Sequence, residues 1–274
     1  MDAHGKQKDQ PLVLIRGGGD LATGVAIVLV REGFRVLITE LPAPLVVRRK
    51  VSFAQAVFDG ICVVEEVTGE HALSPAQVDE ITSSGKVAIL VDPESTALHQ
   101  FRLAALVDAR MLKTPSGQNK SDAPLVIGLG PGFIAGQNCH AVIETKRGEN
   151  LGRVYWQGGA EANTGIPEPV NGYGIERVLY APADGLLHAC VEIGDVVQEG
   201  ETVAQVNGEN VAAKFKGVIR GLIQDGMMVR KGMKIGDVDP RCDRSLCFRV
   251  SDKALAVGNG VLAAIRSLDE GEHK

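Results

Sequence analysis

The sequence is poor in aromatic residues and has no long apolar run. Aromatic residues make up 4% of its 274 positions and include a single tryptophan, so the core must consist of Val, Ile, Leu and Ala. Apolar stretches such as 25–30 and 125–135 are too short, or too interrupted by Gly and Pro, to span a bilayer. The polar first ten residues also lack the apolar segment of a secretory signal.

Few cysteines and little excess charge exclude further classes of protein. The five cysteines are scattered and form no Cys-x-x-Cys pair, which favours a reducing compartment over a disulfide framework. The formal net charge is −5, and no basic stripe with interleaved aromatics is present. We therefore expect a soluble, cytoplasmic protein with neither a nucleic-acid nor a membrane partner.

The common catalytic motifs are missing as well. The sequence contains no Gly-x-Ser-x-Gly elbow, no His-Glu-x-x-His pair and no Walker A lysine. Cys242 and Cys247 have no standard spacing for metal ligands, so we expect no metal site. No catalytic residue can be assigned, and this favours a non-catalytic accessory protein over an enzyme.

Glycine, in contrast, is abundant, with 33 residues. In residues 1–150 the glycines interrupt short aliphatic strands that alternate with helical patches, a pattern typical of a mostly parallel sheet covered by helices. We therefore expect an α/β fold, with a Rossmann-like doubly wound nucleotide-binding domain over residues 1–150. An irregular connector is expected over 151–177.

The next segment, residues 178–240, has short strands, close-spaced glycines and an internal repeat. Six positions recur with an offset of 32 residues, namely Gly185, Gly194, Val197, Gly200, Val203 and Val206, which return as Gly217, Gly226, Val229, Gly232, Ile235 and Val238. Two such hairpin copies predict a small flattened β-barrel. The remaining segment, residues 241–274, is expected to carry a helix that packs back on one of the two domains.

This repeat resembles the biotinyl/lipoyl barrel-sandwich hybrid domain at residues 181–185 (APADG) and 193–200 (IGDVVQEG). Carrier domains of that kind hold their modified lysine in the hairpin between the two halves. Residues 205–210 (QVNGEN) contain no lysine at that place. We therefore expect no covalently attached biotin or lipoate, and a rigid packing or docking module instead.

The loop at residues 16–24 (RGGGDLATG) follows a predicted strand and opens a predicted helix, which is the setting of a dinucleotide-binding fingerprint. Gly17 suits the tight turn, Gly19 the close approach of a pyrophosphate, and Ala22 the close packing of the helix. Asp20 departs from the fingerprint by its negative charge. The candidate cofactor-binding residues are Gly17, Gly18, Gly19, Asp20, Ala22, Thr23 and Gly24. The alternative is a glycine turn that serves packing alone.

Two further candidates follow the second predicted strand. Glu40 ends this strand, and its carboxylate can accept hydrogen bonds from a ribose 2′-hydroxyl. Arg48 and Arg49 belong to the one dense basic run of the sequence, which is either a phosphate clamp or a solvated helix face.

A second glycine loop, residues 128–136 (GLGPGFIAG), also follows an apolar strand. Its glycines can form a backbone nest for an anion, although Pro131 removes one N–H donor. Glu144 and Arg147 end the next strand, where open α/β sheets bind ligands. The candidate cofactor-binding residues here are Gly128, Gly130, Gly132, Glu144 and Arg147.

Taken together, these motifs resemble one family, the YqeB accessory proteins of the selenium-dependent molybdenum hydroxylase system. The segments that carry the resemblance are 16–26 (RGGGDLATGVA), 44–60, 126–133 (VIGLGPGF), 144–154 (ETKRGENLGRV), 163–169 (NTGIPEP), 234–241 (KIGDVDPR) and 251–262 (SDKALAVGNGVL). A weaker similarity connects the chain with factors that hold molybdenum cofactor before its insertion. Asn150 departs from the family motif, which has a histidine there.

The resemblance implies an accessory or maturation protein whose partner is a molybdenum hydroxylase client. Its glycine loops would then bind a molybdopterin dinucleotide or an NAD-like dinucleotide, and its small barrel would dock on the client. An NAD-dependent oxidoreductase and a non-catalytic scaffold with structural glycine loops are the alternatives. The ligand, the client and the existence of a homo-oligomer remain open at this point.

Overall fold

The computed structural model describes residues 11–112, 119–162 and 169–269. The chain divides into two compact units. Unit 1 comprises Met1–Pro44, Phe53–Asn163 and Val250–Lys274, and unit 2 comprises Leu45–Ser52 and Thr164–Arg249. In the described part of the chain, no helix combines the length and the apolar character needed to cross a membrane.

Unit 1 is built on a large mixed sheet, in which nine strands are found among the described residues. Its inner strands are aliphatic and buried on both faces, as expected for parallel strands. The strands are β1 (Leu12–Arg16), β2 (Arg35–Glu40), β3 (Ile61–Val64), β4 (Val67–Ala72), β5 (Val87–Val91), β6 (Leu103–Asp108), β7 (Val126–Leu129), β8 (Ala141–Ile143) and β9 (Val154–Tyr155).

The spatial order of these strands is β3-β4-β5-β2-β1-β6-β7-β8-β9. The pairs from β4 through to β8 are parallel, whereas β3 and β9 join the two ends in antiparallel pairs. The chain runs from β1 outward to β2 and later returns to the other side of β1 with β6. The carboxyl ends of β1 and β6 therefore lie side by side at the point where the strand order reverses.

The helices of unit 1 are α1 (Asp20–Arg31), α2 (Ala56–Asp59), α3 (Pro75–Ser83), α4 (Ala97–Gln100) and α5 (Asp252–Asp269). Small residues let α1 and α5 pack closely. A Cβ at Gly24 of α1 would lie 2.6 Å from the Cβ of Ala254 in α5, and one at Gly258 would lie 2.8 Å from the Gly24 carbonyl oxygen. This contact connects the last helix of unit 1 to the first.

The expected Rossmann-like doubly wound domain is wrong for unit 1. The sheet is mixed, with an antiparallel strand at each end. The described residues between β7 and β8 contain no helix, and α4, between β5 and β6, has only four residues. Continuous helical layers on both faces, which define a doubly wound fold, are therefore not formed. The glycine- and proline-rich sequence after β7 explains the missing helix, because these residues do not support a helix interior.

Unit 2 contains two four-stranded antiparallel sheets in the part of the chain that is described, with the orders β10-β17-β15-β12 and β14-β13-β11-β16. They enclose an aliphatic core. The strands are β10 (Val178–Tyr180), β11 (Gly185–Ala189), β12 (Val196–Val197), β13 (Thr202–Val206), β14 (Glu209–Ala212), β15 (Gly217–Leu222), β16 (Met228–Val229) and β17 (Lys234–Asp239).

The repeat found in the sequence matches these strands, because the 32-residue offset places β11, β12 and β13 on β15, β16 and β17. The two copies exchange their short strands. β12 of the first copy pairs with β15 of the second, and β16 of the second pairs with β11 of the first. The repeated aliphatic positions, among them Val203 and Ile235, are fully buried. The repeat thus combines buried aliphatic positions with turn glycines such as Gly200 and Gly232, which are exposed and have positive φ.

The expected barrel-sandwich hybrid is also wrong, because the described strands pair into two separate sheets and close no barrel. The hairpin between β13 and β14 turns at Asn207 and Gly208, which have φ values of +50° and +81°. Positive φ at both central residues is typical of the tight turn that joins two antiparallel strands. Periodicity identified the strands, but it could not determine which strands pair.

A strained turn in unit 1 yields a prediction about stability. Glu65 and Glu66 join β3 to β4 with φ values of +46° and +38°, a conformation that a side chain with a Cβ disfavours. Glu65 accepts hydrogen bonds from Val250 N–H and from Arg31, so Glu66 is the better target. We expect Glu66→Gly to raise the free energy of unfolding by about 0.5–1 kcal/mol in urea titrations.

The matched control is Glu80→Gly in α3, where the backbone is helical. The same chemical change should lower the free energy of unfolding there by about 1 kcal/mol. A loss of stability in both variants would show that the turn is not strained.

Candidate functional site

The candidate site lies at the carboxyl ends of β1 and β6. In open α/β sheets, ligands bind outside the carboxyl ends of the strands, at the point where the strand order reverses. Gly17, the residue after β1, has a φ of +87° and donates its N–H to Thr39 O at 2.8 Å. A Cβ at this position would lie 3.3 Å from Cγ of Arg110, which follows β6. The φ of Gly17 favours glycine, and a side chain here would also force Arg110 to shift.

Glu40 lies at the loop, as its position at the end of β2 predicted. Its Oε2 accepts the N–H of Gly18 at 2.7 Å, and its Oε1 accepts the N–H of Leu41 at 2.8 Å. Each carboxylate oxygen keeps a second lone pair after these bonds. The side chain is thus oriented by the backbone and can still accept a hydrogen bond from a hydroxyl group.

Phe53 and Ala54, in the segment that follows β2, hold the inner side of the loop through hydrogen bonds. Ala54 N–H donates to Gly18 O at 2.9 Å, and Phe53 N–H donates to Thr23 Oγ1 at 2.8 Å. A Cβ at Gly18 would lie 2.9 Å from the Ala54 nitrogen. Ala22 and Thr23 are buried, so these two predicted site residues support the loop from inside the protein.

On its outer side, the loop leads into the first turn of α1. Gly19 is the N-cap and has no side chain to cap the first turn, and Asp20 is the acidic residue of that turn. The first N–H groups of a helix and its dipole favour an anion. The carboxylate of Asp20 opposes a second anion at the same place. Gly24 lies further along α1 and serves the packing against α5.

An arginine–aspartate cluster beside the loop was not identified from the sequence. Asp108, the last residue of β6, is fully buried and pairs with Arg110, whose Nη2 lies 2.5 Å from its Oδ2. Arg16 Nη1 lies 3.8 Å from the same oxygen. This Nη1 is buried without a hydrogen-bond partner among the described residues. Burial and the neighbouring Arg110 lower the pKa of Arg16.

A sequence signal for this cluster does exist. The segment Val107–Arg110 (VDAR) recurs as Val238–Arg241 (VDPR), and each begins with the last two residues of a strand. The next residues, Met111 and Cys242, each have a φ of +55°. Ser95, which accepts a hydrogen bond from Arg16 Nη2 at 2.7 Å, also has a positive φ, of +59°. Strained backbone of this kind concentrates at functional sites.

In the second glycine loop, at least two glycines serve packing. A Cβ at Gly128 would lie 2.1 Å from Cγ of Phe133, a fully buried ring. Gly130 has a φ of +80°, and a Cβ there would lie 2.9 Å from Thr145 Oγ1. Gly132 is buried next to Phe133. The loop thus has a clear packing role at Gly128 and Gly130.

Glu144 and Arg147 are both engaged inside unit 1. Glu144 is fully buried; its Oε1 accepts the N–H groups of Thr145 and Lys146, and its Oε2 accepts that of Glu161. Arg147 makes two hydrogen bonds, of 2.7 and 2.8 Å, to Asp252 in the first turn of α5. These hydrogen bonds of Glu144 and Arg147 stabilise the chain next to β8.

Arg48 and Arg49 belong to unit 2. Arg48 Nη2 donates to the carbonyl oxygens of Leu246 and Arg249. Arg49 Nε donates to Leu222 O at 2.8 Å, and its Nη1 donates to Gln224. The loop residues Gly17 to Gly19 and Glu40 do come together, whereas these two arginines contact other parts of the chain. Residues 163–168 of the NTGIPEP motif lie outside the described residues.

The sequence was then compared with known proteins. No protein-family model matches the chain. It is similar to the "Uncharacterized protein YqeB" of Escherichia coli (strain K12), with 45% identity over 257 residues. The relative has the name YqeB, to which the sequence motifs were also found similar. The alignment covers 94% of the chain and 48% of the relative, so the chain spans about half the length of the curated relative it matches. The name of this relative makes no reference to molybdenum or selenium.

Two solved structures are similar over most of their length, but at low scores. The apo structure of the ectoine utilization protein EutE (DoeB) from Ruegeria pomeroyi has 8% identity and a TM-score of 0.24, covering 84% of this chain and 86% of that one. An aspartoacylase family protein from Mesorhizobium loti has 12% identity and a TM-score of 0.27, covering 84% and 85%. Scores this low transfer neither a fold nor an activity.

The buried carboxylate of Glu144 provides a stability test. In Glu144→Gln, the amide NH2 replaces one oxygen and faces an N–H donor, so a buried hydrogen bond is lost. We expect the free energy of unfolding to fall by about 2–3 kcal/mol in urea titrations. Glu149→Gln, an exposed neighbour, should change it by less than about 0.5 kcal/mol. Equal effects of the two variants would contradict the role assigned to Glu144.

The Arg147–Asp252 pair provides a pH test. Its hydrogen bonds from Arg147 lower the pKa of Asp252 to about 2, from an ordinary value of 3.8. Because the folded-state pKa is the lower one, the pair stabilises the fold above the ordinary value and loses this effect as the pH falls through about 2. In Arg147→Gln, NMR titration of the Asp252 carboxyl carbon should give a pKa close to 3.8. In an Arg102→Gln control it should remain low.

Proposed function

We propose that this chain binds a nucleotide-bearing cofactor at the loop of residues 16–24 and acts as an accessory protein in the maturation of a selenium-dependent molybdenum hydroxylase. The cofactor would be a molybdopterin dinucleotide or an NAD-like dinucleotide. The observation that carries the binding part is the loop itself, in which Gly17 turns the backbone and Glu40 is anchored beside it. A cytoplasmic location is part of the same proposal.

The loop offers two kinds of contact to such a ligand. The pyrophosphate would lie at Gly19 and the first turn of α1, where backbone N–H groups and the helix dipole favour negative charge. The ribose hydroxyls would donate to Glu40, whose orientation is maintained by the N–H groups of Gly18 and Leu41. These contacts use the diphosphate and the sugar, which both candidate ligands share.

Positive charge beside the loop supports the same ligand class. Arg16 and Arg110 flank the single carboxylate of Asp108, so this group has an excess of one positive charge next to Gly17. The side chain of Arg110 is 27% exposed and therefore accessible from solvent. A guanidinium group recognises phosphate oxygens through paired N–H donors. Asp20 counteracts this attraction, which makes it a useful position for a test.

The accessory role rests on the family motifs described above and on the similarity to YqeB. The sequence contains no Gly-x-Ser-x-Gly elbow, no His-Glu-x-x-His pair and no Walker A lysine, whereas it does contain a candidate ligand-binding loop. The chain would bind and present the cofactor to the client enzyme. Because the chain spans about half of its curated relative, cofactor binding and the accessory role are tested separately.

The binding step predicts a gain of affinity in Asp20→Asn. Removing a negative charge from the first turn of α1 should strengthen the binding of a pyrophosphate. With NAD⁺, ADP and CDP as probes, we expect at least one to bind the purified chain, and we expect the variant to bind it roughly two- to fivefold more tightly. Isothermal titration calorimetry measures both affinities.

The control variant is Glu80→Gln, which removes an exposed carboxylate from α3. It should leave the affinity unchanged. Mass spectrometry of the small molecules that co-purify with the native chain identifies the natural ligand. If no probe binds and no nucleotide co-purifies, the loop is purely structural and the binding proposal fails.

The maturation step requires the client enzyme. A selenium-dependent molybdenum hydroxylase should be expressed with and without this chain, and its bound molybdenum cofactor should be measured. We expect a several-fold lower cofactor content without the chain, since no protein then delivers the cofactor. An unchanged content would overturn the accessory role, even if the chain binds nucleotides.

A further inference from the structure

Unit 2 contains a cluster of arginines of which only Arg48 was a candidate binding residue in the sequence. We call it the Arg220 cluster. Its members lie on β15 and β17 and in the segments that pack on them, and all of them except the exposed Arg241 are partly or fully buried. The cluster consists of Arg48, Arg177, Arg220, Arg241, Asp237 and Asp239.

Two carboxylates of the cluster are already paired. Asp239 is fully buried and accepts three hydrogen bonds from Arg241, from its backbone N–H at 3.1 Å, its Nε at 2.9 Å and its Nη2 at 2.6 Å. Asp237 pairs with Arg177, whose Nη2 lies 3.1 Å from its Oδ2. Each aspartate therefore has one arginine of its own.

Arg220 is left with an incomplete set of partners. Its Nη1 lies 3.7 Å from Asp239 Oδ2, which is too far for a hydrogen bond. Its Nε is buried and has no hydrogen-bond partner among the described residues. Burial lowers the pKa of Arg220, and repulsion from Arg48 lowers it further. A guanidinium group in this setting requires an additional acceptor.

The net charge of the cluster also favours an additional acceptor. Four guanidinium groups and two carboxylates leave an excess of two positive charges. The nearby Asp243 is exposed, and its Oδ1 accepts the N–H of Ser245 at 2.9 Å. Burying charge without compensation is costly, because the interior solvates an ion much less well than water does. A bound anion would remove this cost.

We propose that the Arg220 cluster binds a small tetrahedral oxyanion of the phosphate class. Guanidinium groups match this chemistry, since their planar N–H donors can contact two oxygens at once. The ligand would reach the cluster from the side of Arg241, whose side chain is 38% exposed. Arg48, for which a phosphate clamp was one of two interpretations of the sequence, would then contact phosphate in unit 2. The inference is independent of the dinucleotide proposal, because its residues belong to unit 2 alone.

The test compares inorganic phosphate with chloride at equal ionic strength. At a phosphate concentration ten times its Kd, the melting temperature of the chain should rise by about 3–5 °C, because the anion binds only the folded state. Calorimetric titration with phosphate should show saturable binding. Sulfate, which has the same shape, should compete. A melting temperature that is the same in phosphate and chloride, without binding heat, would overturn the proposal.

Arg220→Met tests the assignment of the site, because it removes the charge and keeps a side chain of similar length. The affinity for phosphate should fall at least about tenfold, while in chloride the variant should be no less stable than the native chain. Arg230→Met, an exposed arginine of unit 2, is the matched control and should bind phosphate normally.

A second variant covers the case in which Arg220→Met does not fold. Arg241→Gln changes a partly exposed position, and it should also weaken phosphate binding about tenfold. If the folded variants of Arg220 and Arg241 both keep the native affinity, phosphate binds elsewhere and the Arg220 cluster is not its site.

Discussion

A carboxylate with no access to water needs charged partners, and in both units an aspartate at the end of a strand obtains them from the arginine two residues later. Asp108 pairs with Arg110 and Asp239 pairs with Arg241. In each case the arginine also donates its backbone N–H to the aspartate. These pairs fix the direction in which the chain leaves the strand. At β6 this direction determines where Arg110 lies relative to Gly17, and therefore the shape of the candidate site.

The first glycine loop combines local and distant contributions. The tight turn at Gly17 and the start of α1 at Gly19 follow from the local sequence, since a strand, a glycine turn and a helix succeed one another within a few residues. Glu40 was also predictable, because the carboxyl ends of neighbouring parallel strands meet at one edge. The contribution of Arg16 and Arg110 was not predicted, although the repeated Val-Asp-x-Arg segments signalled it. Their role depends on β1 and β6 being neighbours.

The candidate residues Gly24, Gly128 and Glu144 show where motif reasoning stops. Glycine in a loop after a strand is compatible with a ligand or with packing, and only the neighbouring atoms distinguish the two. At Gly128 that neighbour is the buried ring of Phe133, and at Gly24 it is Ala254 of another helix. Likewise, a buried Glu144 that accepts three backbone N–H groups has the same sequence context as a ligand-binding glutamate.

By itself, the sequence determined what depends on near neighbours along the chain: the aliphatic strands, the turn at Gly17, the start of α1 and the repeated core positions of unit 2. Tertiary structure alone decided how the strands pair, and hence the mixed sheet of unit 1, the two open sheets of unit 2 and the partners of each buried charge. The physical reason is that hydrophobic periodicity specifies which face of a strand is buried. It does not specify which other strand, or which distant arginine, completes the contact.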